Sequence, residues 1–233
     1  MRAMIFAAGR GERMRPLTDS TPKPLLKVRG KPLIAWHLER LAAAGIDEVV
    51  INIAYLATQF PAVLGDGTRF GLRIHYACEG ETALETGGGM LNALPLLGTE
   101  PFIAVSGDVF ADVDFARLPR APRGTAHLLM VDNPAHHPEG DFSFDDNGTL
   151  QPRTSKAIAL TWSGIGVFSP AFLSHWREDA ASEPGASEDP PRFPLRPLLH
   201  AAIRRGEASG EHHCGFWSDV GTPERLREID GAP

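Results

Sequence analysis

Residues 4–18 read Met-Ile-Phe-Ala-Ala-Gly-Arg-Gly-Glu-Arg-Met-Arg-Pro-Leu-Thr, a short apolar segment that runs directly into a basic loop with two glycines. The apolar part, Met4 to Ala7, has the composition of a short buried strand. A glycine-bearing loop placed directly after a strand lets backbone N–H groups approach phosphate oxygens. The stretch therefore predicts an anion site at the carboxyl end of a first strand.

Helix-like and strand-like segments alternate through the first half of the chain. The helix candidates are 32–44, 55–64 and 90–97, and the strand candidates are 48–53, 73–77 and 102–105. This order is typical of an α/β fold with a parallel sheet and helices on both faces, in which ligands bind at the carboxyl ends of the strands. We therefore expect the loops after Ala7, Ala77 and Val105 to form the site.

The second half of the chain has a different pattern. Strands are predicted over 125–131 and 158–168, a hairpin over 141–151 with an Asn147-Gly148 turn, and helices over 195–204 and from Thr222 onward. Residues 179–192 are rich in Ala, Ser, Glu and Pro, which favours a solvated, mobile loop.

Composition and charge narrow the function classes. The 233 residues are 42% hydrophobic and carry a formal charge of -6, which argues against nucleic acid or an anionic membrane as the partner. Between Arg10 and Lys31, however, seven basic residues face two acidic ones, which favours a small, highly charged anion. Only two cysteines occur, so no disulfide framework or cysteine-rich zinc site is expected. Without a signal peptide or a membrane-spanning apolar run, we expect a cytoplasmic protein.

The basic loop departs from two familiar phosphate motifs. Walker A requires Gly-Lys-Ser/Thr, which is absent, and the dinucleotide fingerprint requires a third glycine where Met14 stands. By its residues alone the loop is therefore either a phosphate site or a solvated turn with incidental basic residues.

A longer pattern is more specific. Gly9-x-Gly11-x-Arg13-Met14-Arg15-Pro16-Leu17-Thr18, followed by Pro22-Lys23-Pro24, resembles the signature of the sugar-1-phosphate nucleotidyltransferases. Further matches extend over nearly the whole chain and include Glu85-Thr86-Gly87-Gly88-Gly89, Gly107-Asp108-Val109, Asp141-Phe142, Ser163-Gly164-Ile165 and Trp217-Ser218-Asp219-Val220-Gly221-Thr222. The resemblance implies a Rossmann-like nucleotidyltransferase fold with a mixed, mostly parallel sheet flanked by helices. It implies one domain over 1–233, with a nucleotide-binding half (1–124) and a sugar-binding half (125–230).

Four stretches resemble one branch of that family, whose members act on N-acetylmuramate α-1-phosphate: 84–89, 131–134, 136–137 and 210–212. They imply uridylyl transfer from UTP to this sugar phosphate, giving UDP-N-acetylmuramate and pyrophosphate in peptidoglycan recycling. The alternatives within the family are guanylyl or thymidylyl transfer to mannose or glucose 1-phosphate. An alternative of another class is a non-catalytic regulatory protein that binds nucleotide-sugars. The joint presence of Lys23, Asp108 and Asp219 favours an enzyme, because a pure binder does not need all three.

The resemblance also implies roles for the nucleotide-side residues. It places the nucleotide against Ala8, Gly9, Gly11, Glu12, Arg13, Lys23, Thr86, Gly87 and Ser106. Lys23 and Arg15 are implied as the catalytic cations, which stabilise the negative charge that builds on the phosphates during attack. Lys23 has a simpler explanation as a surface lysine, and Thr86 and Gly87 have one as a glycine-rich helix start.

The acceptor and the metal have their own candidates. Gly140, Asp141, Ser163 and Gly164 are implied to contact the sugar or its phosphate, with Lys156 as a further phosphate candidate. Asp108 and Asp219 are implied as ligands of Mg²⁺, a hard cation that commonly uses one or two carboxylates together with phosphates. A strand-end aspartate taken alone is more often a turn former. The chain lacks a hexapeptide β-helix tail, so we expect a monomer.

Overall fold

A computed structural model describes residues 1–145, 147–153 and 158–231 of the chain. Its strands are β1 (Arg2–Phe6), β2 (Lys27–Val28), β3 (Lys31–Pro32), β4 (Glu48–Ile53), β5 (Arg73–Cys78), β6 (Phe102–Ser106), β7 (Val109–Ala111), β8 (Ala126–Val131), β9 (Phe142–Phe144), β10 (Leu150–Pro152), β11 (Ala159–Phe168), β12 (Ala208–His212) and β13 (Trp217–Asp219). Its α-helices are α1 (Leu33–Ala43), α2 (Gln59–Leu64), α3 (Glu85–Leu97), α4 (Trp176–Asp179), α5 (Arg196–Arg204) and α6 (Pro223–Gly231).

Nine strands of the described residues form one mixed sheet. Its main path is β10-β9-β11-β6-β1-β4-β5, with β8 paired to β11 and β12 paired to β8. β1 lies between β4 and β6 and is parallel to both, whereas β11 is antiparallel to β6 and β8. The predicted α/β fold with a mixed sheet is therefore confirmed. β7 and β13 form a separate two-stranded antiparallel sheet.

Helices cover both faces of the sheet because alternate strand residues point in opposite directions. On β1, Ile5 packs in one core with residues of α1 and α2, while Met4 packs in the other core with residues of α3 and α5. β4 divides in the same way, with Ile51 in the first core and Val50 in the second. This burial on both faces explains why β4 reads as a continuous apolar run.

The predicted elements of the first half are present, and their bounds differ mainly at α2, which begins at Gln59 rather than Tyr55, and at α3. This helix begins at Glu85 rather than at Met90, because its glycines are helical residues packed against neighbouring segments. Sequence patterning missed the short helix α4 and the strands β2, β3, β7, β12 and β13, and with them two small sheets, β2 with β3 and β7 with β13. No helix in the described ranges is both long and apolar enough to cross a membrane.

In the second half, the hairpin forms between β9 and β10, and the Thr222 hydroxyl accepts a hydrogen bond from the backbone N–H of Arg225 at the start of α6. Of the predicted loop 179–192, Asp179 ends α4, and residues 180–192 contain no helix or strand. They are not uniformly solvated, because Ala180 and Gly185 are buried. Arg192 donates its backbone N–H to the carbonyl of Gly185, which closes the segment on itself.

His37 is a buried residue of α1 whose protonation should control stability. Its Nε2 lies 2.7 Å from the carbonyl oxygen of Val109, and burial lowers its pKa from 6.5 to about 4. The unfolded chain takes up this proton below its own pKa, while the folded chain does so only near the lowered one. We therefore expect the free energy of unfolding to fall by about 3 kcal/mol as the pH drops from the unfolded to the folded pKa. Denaturant titrations across that pH window measure the effect.

His37→Gln is the control for this prediction, because its amide can still donate to the Val109 carbonyl but does not titrate. Its stability should fall less steeply with pH than that of the wild type. Two other histidines with lowered pKa values, His127 and His200, are present in both proteins and cancel in the difference. If the free energy of unfolding fell equally with pH in the two proteins, the assignment of this pH dependence to His37 would be wrong.

Candidate active site

Two adjoining cavities lie where the loops after β1, β5 and β6 meet. The smaller has a volume of about 380 Å³ and is lined by Phe6, Ala7, Ala8, Gly9, Gly11, Lys23, Pro24, Asn52, Ala83, Glu85, Thr86, Ser106 and Asp108. The larger has a volume of about 700 Å³ and is lined by Ala8, Arg10, Gly11, Glu12, Arg13, Met14, Lys23, Tyr55, Glu81, Thr82, Ala83, Glu85, Arg192 and Gly221. They share Ala8, Gly11, Lys23, Ala83 and Glu85, so one elongated ligand can reach both.

The loop after β1 is held in a defined shape. Gly11 adopts a left-handed conformation with φ of 66°, which glycine accepts at little cost, and a short 3₁₀ helix (Glu12–Met14) follows it. The Thr18 hydroxyl donates to the Gly11 carbonyl at 2.9 Å, which folds the chain back onto the loop. The loop therefore presents a fixed surface of backbone and small side chains to the cavities.

Lys23 lies beneath this loop at the start of a 3₁₀ helix (Lys23–Leu25). The side chain is 11% exposed, and its Nζ lies 2.6 Å from Oδ2 of Asp108. Pro22 and Pro24 flank it and restrict the backbone on both sides. The ammonium group is thus aimed at the boundary of the two cavities instead of the surface.

Asp108 and Asp219 are brought together by the small sheet. Asp219 of β13 is in register with Val109 of β7, and the backbone N–H of Val220 donates to the Asp108 carbonyl at 2.7 Å. Each carboxylate has a cationic or imidazole partner: Lys23 for Asp108, and both Arg225 and His136 for Asp219. The His136 Nε2 lies 3.1 Å from Asp219 Oδ1.

The chemistry of this pair fits Mg²⁺ brought in by a phosphate ligand. Within the described ranges, no group of three or more His, Cys, Asp and Glu side chains is arranged to hold a metal by itself. Mg²⁺ does not require such a cage, since it usually keeps waters and binds one or two carboxylates plus phosphate oxygens. Asp108 and Asp219 supply that number of carboxylates: Asp108 lines the smaller cavity, and Asp219 lies beside it in the small sheet.

Thr86 and Gly87 lie in the first turn of α3, at different distances from the cavities. Thr86 lines the smaller cavity, and its hydroxyl accepts a hydrogen bond from the backbone N–H of Leu195 at 2.8 Å. Gly87 does not line either cavity, and its N–H donates to the carbonyl of Phe193 at 2.9 Å. A Cβ at Gly87 would lie 2.5 Å from the Phe193 ring, so close packing explains this glycine.

Asn52 and Glu79 form a buried polar pair that sequence analysis missed. Asn52 Oδ1 accepts from the backbone N–H of Ala7 at 2.8 Å, and Asn52 Nδ2 donates to Glu79 Oε1 at 2.6 Å. The other carboxylate oxygen, Oε2, accepts from the backbone N–H of Leu84 at 2.7 Å. Burial raises the pKa of Glu79, and the hydrogen bonds from Leu84 and Asn52 oppose that shift. The pair therefore links the loop after β1 to the loop before α3.

The predicted sugar-side residues Ser163 and Gly164 lie next to Ser106, which is a predicted nucleotide contact. Ser106 lines the smaller cavity and lies against Gly164, where a Cβ would sit 2.6 Å from the Ser106 hydroxyl. Ser163 is buried, and its hydroxyl accepts from the backbone N–H of Ile165. Its side chain therefore points into the protein.

Gly140 and Asp141 precede β9, and Asp141 is tied to its surroundings. Its Oδ2 accepts from the backbone N–H of Trp162 at 2.9 Å, and its Oδ1 lies 3.1 Å from His137 Nε2. Gly140 packs closely against Asn133 and Ala159. Lys156 lies outside the described residues.

The side chains of Arg13 and Arg15 point in different directions. Arg13 lines the larger cavity, as Glu12 does. Arg15 lines neither cavity; its Nε lies 3.1 Å from Asp19 Oδ1, and the side chain is 59% exposed. The structure thus places Arg13, and not Arg15, beside the cavities.

Several cavity residues were missed from the sequence. Besides Asn52, they are Phe6, Ala7, Arg10, Met14, Pro24, Tyr55, Glu81, Thr82, Ala83, Glu85, Arg192 and Gly221. Glu79, the partner of Asn52, and His136 and Arg225, the partners of Asp219, were also missed. A signal did exist for Asn52 and Glu79, because each is a polar residue at or just after the carboxyl end of a predicted strand. For Arg192 and Arg225 no local pattern distinguishes them from surface arginines.

The amino-acid sequence is similar to those of known proteins. A model of the family described as nucleotidyl transferase matches residues 2–232. The N-acetylmuramate alpha-1-phosphate uridylyltransferase of Neisseria meningitidis serogroup B is 46% identical, over 98% of this chain and 96% of that protein. The protein of the same name from Caulobacter vibrioides is 35% identical, over 95% of this chain and 92% of its own length.

A solved structure supports the fold. The chain superposes with a TM-score of 0.81 and 19% identity on a Bacillus anthracis crystal structure described as a glucose-1-phosphate thymidylyltransferase in complex with sucrose, covering 99% of this chain and 94% of that one. At this identity the likeness concerns the fold alone.

Proposed function

Since the chain belongs to the nucleotidyl transferase family, we propose that it transfers a uridylyl group from UTP to N-acetylmuramate α-1-phosphate and releases pyrophosphate. The observation that carries the reaction type is the convergence of Lys23 and Asp108, 2.6 Å apart, at the loop of small residues after β1. The substrate pair is inferred from the two relatives that match this chain over nearly its full length. The product, UDP-N-acetylmuramate, would return a cell-wall sugar to biosynthesis.

The reaction requires no nucleophile from the protein. A phosphate oxygen of the sugar 1-phosphate attacks the α-phosphorus of UTP, the bond between that phosphorus and the bridging oxygen to the β-phosphate breaks, and pyrophosphate leaves. The protein must align the two anions and stabilise the charge that develops on the α-phosphate. Lys23 suits this role, because its ammonium group is buried in the loop wall and held at the cavity boundary.

We assign the remaining nucleotide contacts by position. Ala8, Gly9 and Gly11 offer the triphosphate a backbone surface, and Arg13 supplies a cation on the side of the larger cavity. Arg15 has no such position, so we assign the leaving-group charge to Arg13. Thr86 and Ser106 line the smaller cavity and remain candidates for the uridine side, whereas the packing of Gly87 favours a structural role.

We propose Mg²⁺ as the cofactor, held by Asp108 and Asp219 together with phosphate oxygens. When bound, it supplies positive charge that neutralises the triphosphate. The Arg225 side chain, which pairs with Asp219, then has to share or release that carboxylate. Gly140, Asp141 and Gly164 are retained as acceptor-side candidates, and Ser163 could contribute only through its backbone since its hydroxyl points inward.

We propose that the protein acts as a monomer. We place the reaction in the cytoplasm, where nucleoside triphosphates are available.

Pyrophosphate release tests the proposal. Four nucleoside triphosphates are each combined, with Mg²⁺, with the 1-phosphates of N-acetylmuramate, N-acetylglucosamine, glucose and mannose. We expect strong turnover only for UTP with the muramate. Turnover with GTP and mannose 1-phosphate, or with dTTP and glucose 1-phosphate, would overturn the substrate while retaining the reaction. Binding of UTP without turnover for any acceptor would indicate a regulatory binding protein instead.

A further inference from the structure

We propose that Asn52 and Glu79 are positioning residues for the nucleotide: together they hold the loop after β1 and the loop before α3 at the separation that UTP requires. The inference rests on the proposed function only in naming UTP as the ligand. Neither residue is assigned to the reaction chemistry, since each acts through the backbone of a neighbouring segment.

The hydrogen bonds form one continuous chain between the two loops. It runs from the Ala7 N–H through Asn52 and Glu79 to the Leu84 N–H, with lengths of 2.8, 2.6 and 2.7 Å. Ala7 and Asn52 line the smaller cavity themselves, and Leu84 directly follows Ala83, which lines both cavities. A change in any of these three hydrogen bonds therefore moves the two walls of the nucleotide site relative to each other.

The pair is too buried and too directional to be an incidental contact. Asn52 is 2% exposed and Glu79 is 8% exposed. An unsatisfied polar group at such a place is costly, so both carboxylate oxygens are used as acceptors and the amide as donor and acceptor. The backbone N–H of Glu79 also donates to the Ile53 carbonyl at 2.9 Å, which fixes its own main chain to the end of β4.

Helix α3 is shaped around the same pair. A Cβ at Gly89 would lie 2.6 Å from Glu79 Oε1 and 2.7 Å from Asn52 Nδ2, so only glycine lets the helix cover them. Three separate segments thus accommodate one polar link: the β4 end, the β5 end and the first turns of α3. The third glycine of the run 87–89 is explained by this link and not by contact with a ligand.

The central hydrogen bond, from Asn52 Nδ2 to Glu79 Oε1, has a defined direction, and variants that change its donor or acceptor test the inference. In Glu79→Gln, the glutamine oxygen can accept from the Leu84 N–H, but its amide then faces the Asn52 amide, donor against donor. In Asn52→Asp, two carboxylates face each other. In the double variant, the aspartate at position 52 accepts from the Ala7 N–H and from the glutamine amide, whose oxygen accepts from the Leu84 N–H. All three hydrogen bonds are restored with the central one reversed.

We expect Glu79→Gln and Asn52→Asp each to raise KM for UTP roughly tenfold, the loss of about one buried hydrogen bond. KM for the sugar 1-phosphate should change less than twofold, and the double variant should recover most of the UTP effect. Glu48→Gln is the matched control: it removes a carboxylate at the amino end of β4, where Glu48 pairs with Arg2 at 2.7 Å, and should leave both KM values unchanged. Equal effects on both substrates, or no recovery in the double variant, would overturn the inference.

A measurement on the wild type covers the case in which a single variant fails to fold. Hydrogen exchange should show the Ala7 and Leu84 amides protected in the free protein, before UTP is added. Exchange at the rate of unprotected amides would reject the positioning role. UTP affinity measured by calorimetry needs no acceptor, so absence of turnover would count against the proposed function and not against this inference.

Discussion

Lys23→Ala should lower kcat by about a hundredfold or more while leaving the protein folded. The Lys23 ammonium group is the buried cation of the loop wall, and its Nζ lies 2.6 Å from Asp108 Oδ2. Negative charge grows on the α-phosphate during attack, so a fixed cation is worth more in the transition state than in the ground state. Steady-state pyrophosphate release at saturating UTP measures the loss. KM for UTP should change by a smaller factor.

Lys27→Ala is the matched control for this variant. Lys27 is an exposed lysine of β2 only four residues along the chain, and its removal changes the net charge by the same amount. It should retain the activity of the wild type. If Lys23→Ala instead raised KM for UTP and left kcat intact, Lys23 would bind nucleotide equally in both states and would not be catalytic.

Much of the fold can be read from the sequence because its signals are local. β4 was predicted over the same residues that it occupies, since a strand covered by helices on both faces is a continuous apolar run. β7 and β13 could not be predicted, because three-residue strands show no periodicity and these two pair across more than a hundred positions. The start of α3 was misplaced for a related reason: glycine has low helix propensity, and tertiary packing at Gly87 and Gly89 overrides it.

The candidate site, like the fold, can be predicted from the sequence only in part. The glycine-bearing basic loop and Lys23 are contiguous in sequence and were recognisable from their pattern. Which of Arg13 and Arg15 reaches the cavities depends on the 3₁₀ turn between them, which composition does not reveal. The link between Asn52 and Glu79 arises from parallel pairing of β4 with β5, which brings together residues that are distant along the chain.

Asp108→Asn should also reduce the rate, by about a hundredfold or more, and should raise the Mg²⁺ concentration needed for half-maximal rate. The substitution keeps the shape of the side chain and removes its charge. Initial rates against Mg²⁺ concentration, with Mn²⁺ binding followed by electron paramagnetic resonance, measure both effects. Asp112→Asn is the control, because Asp112 follows β7 in the same segment but pairs with His213 at 2.8 Å, away from the two cavities.

The metal dependence separates two roles for Asp108. If the carboxylate served only to orient Lys23, Asp108→Asn would slow the reaction with no change in the Mg²⁺ requirement. If it is a metal ligand, the Mg²⁺ curve shifts, and Asp219→Asn shifts it too although Asp219 pairs with Arg225 and His136 in place of Lys23. Undiminished turnover of the wild type in excess chelator would exclude the metal role altogether. A shift of the Mg²⁺ curve in both variants would assign both carboxylates to metal binding.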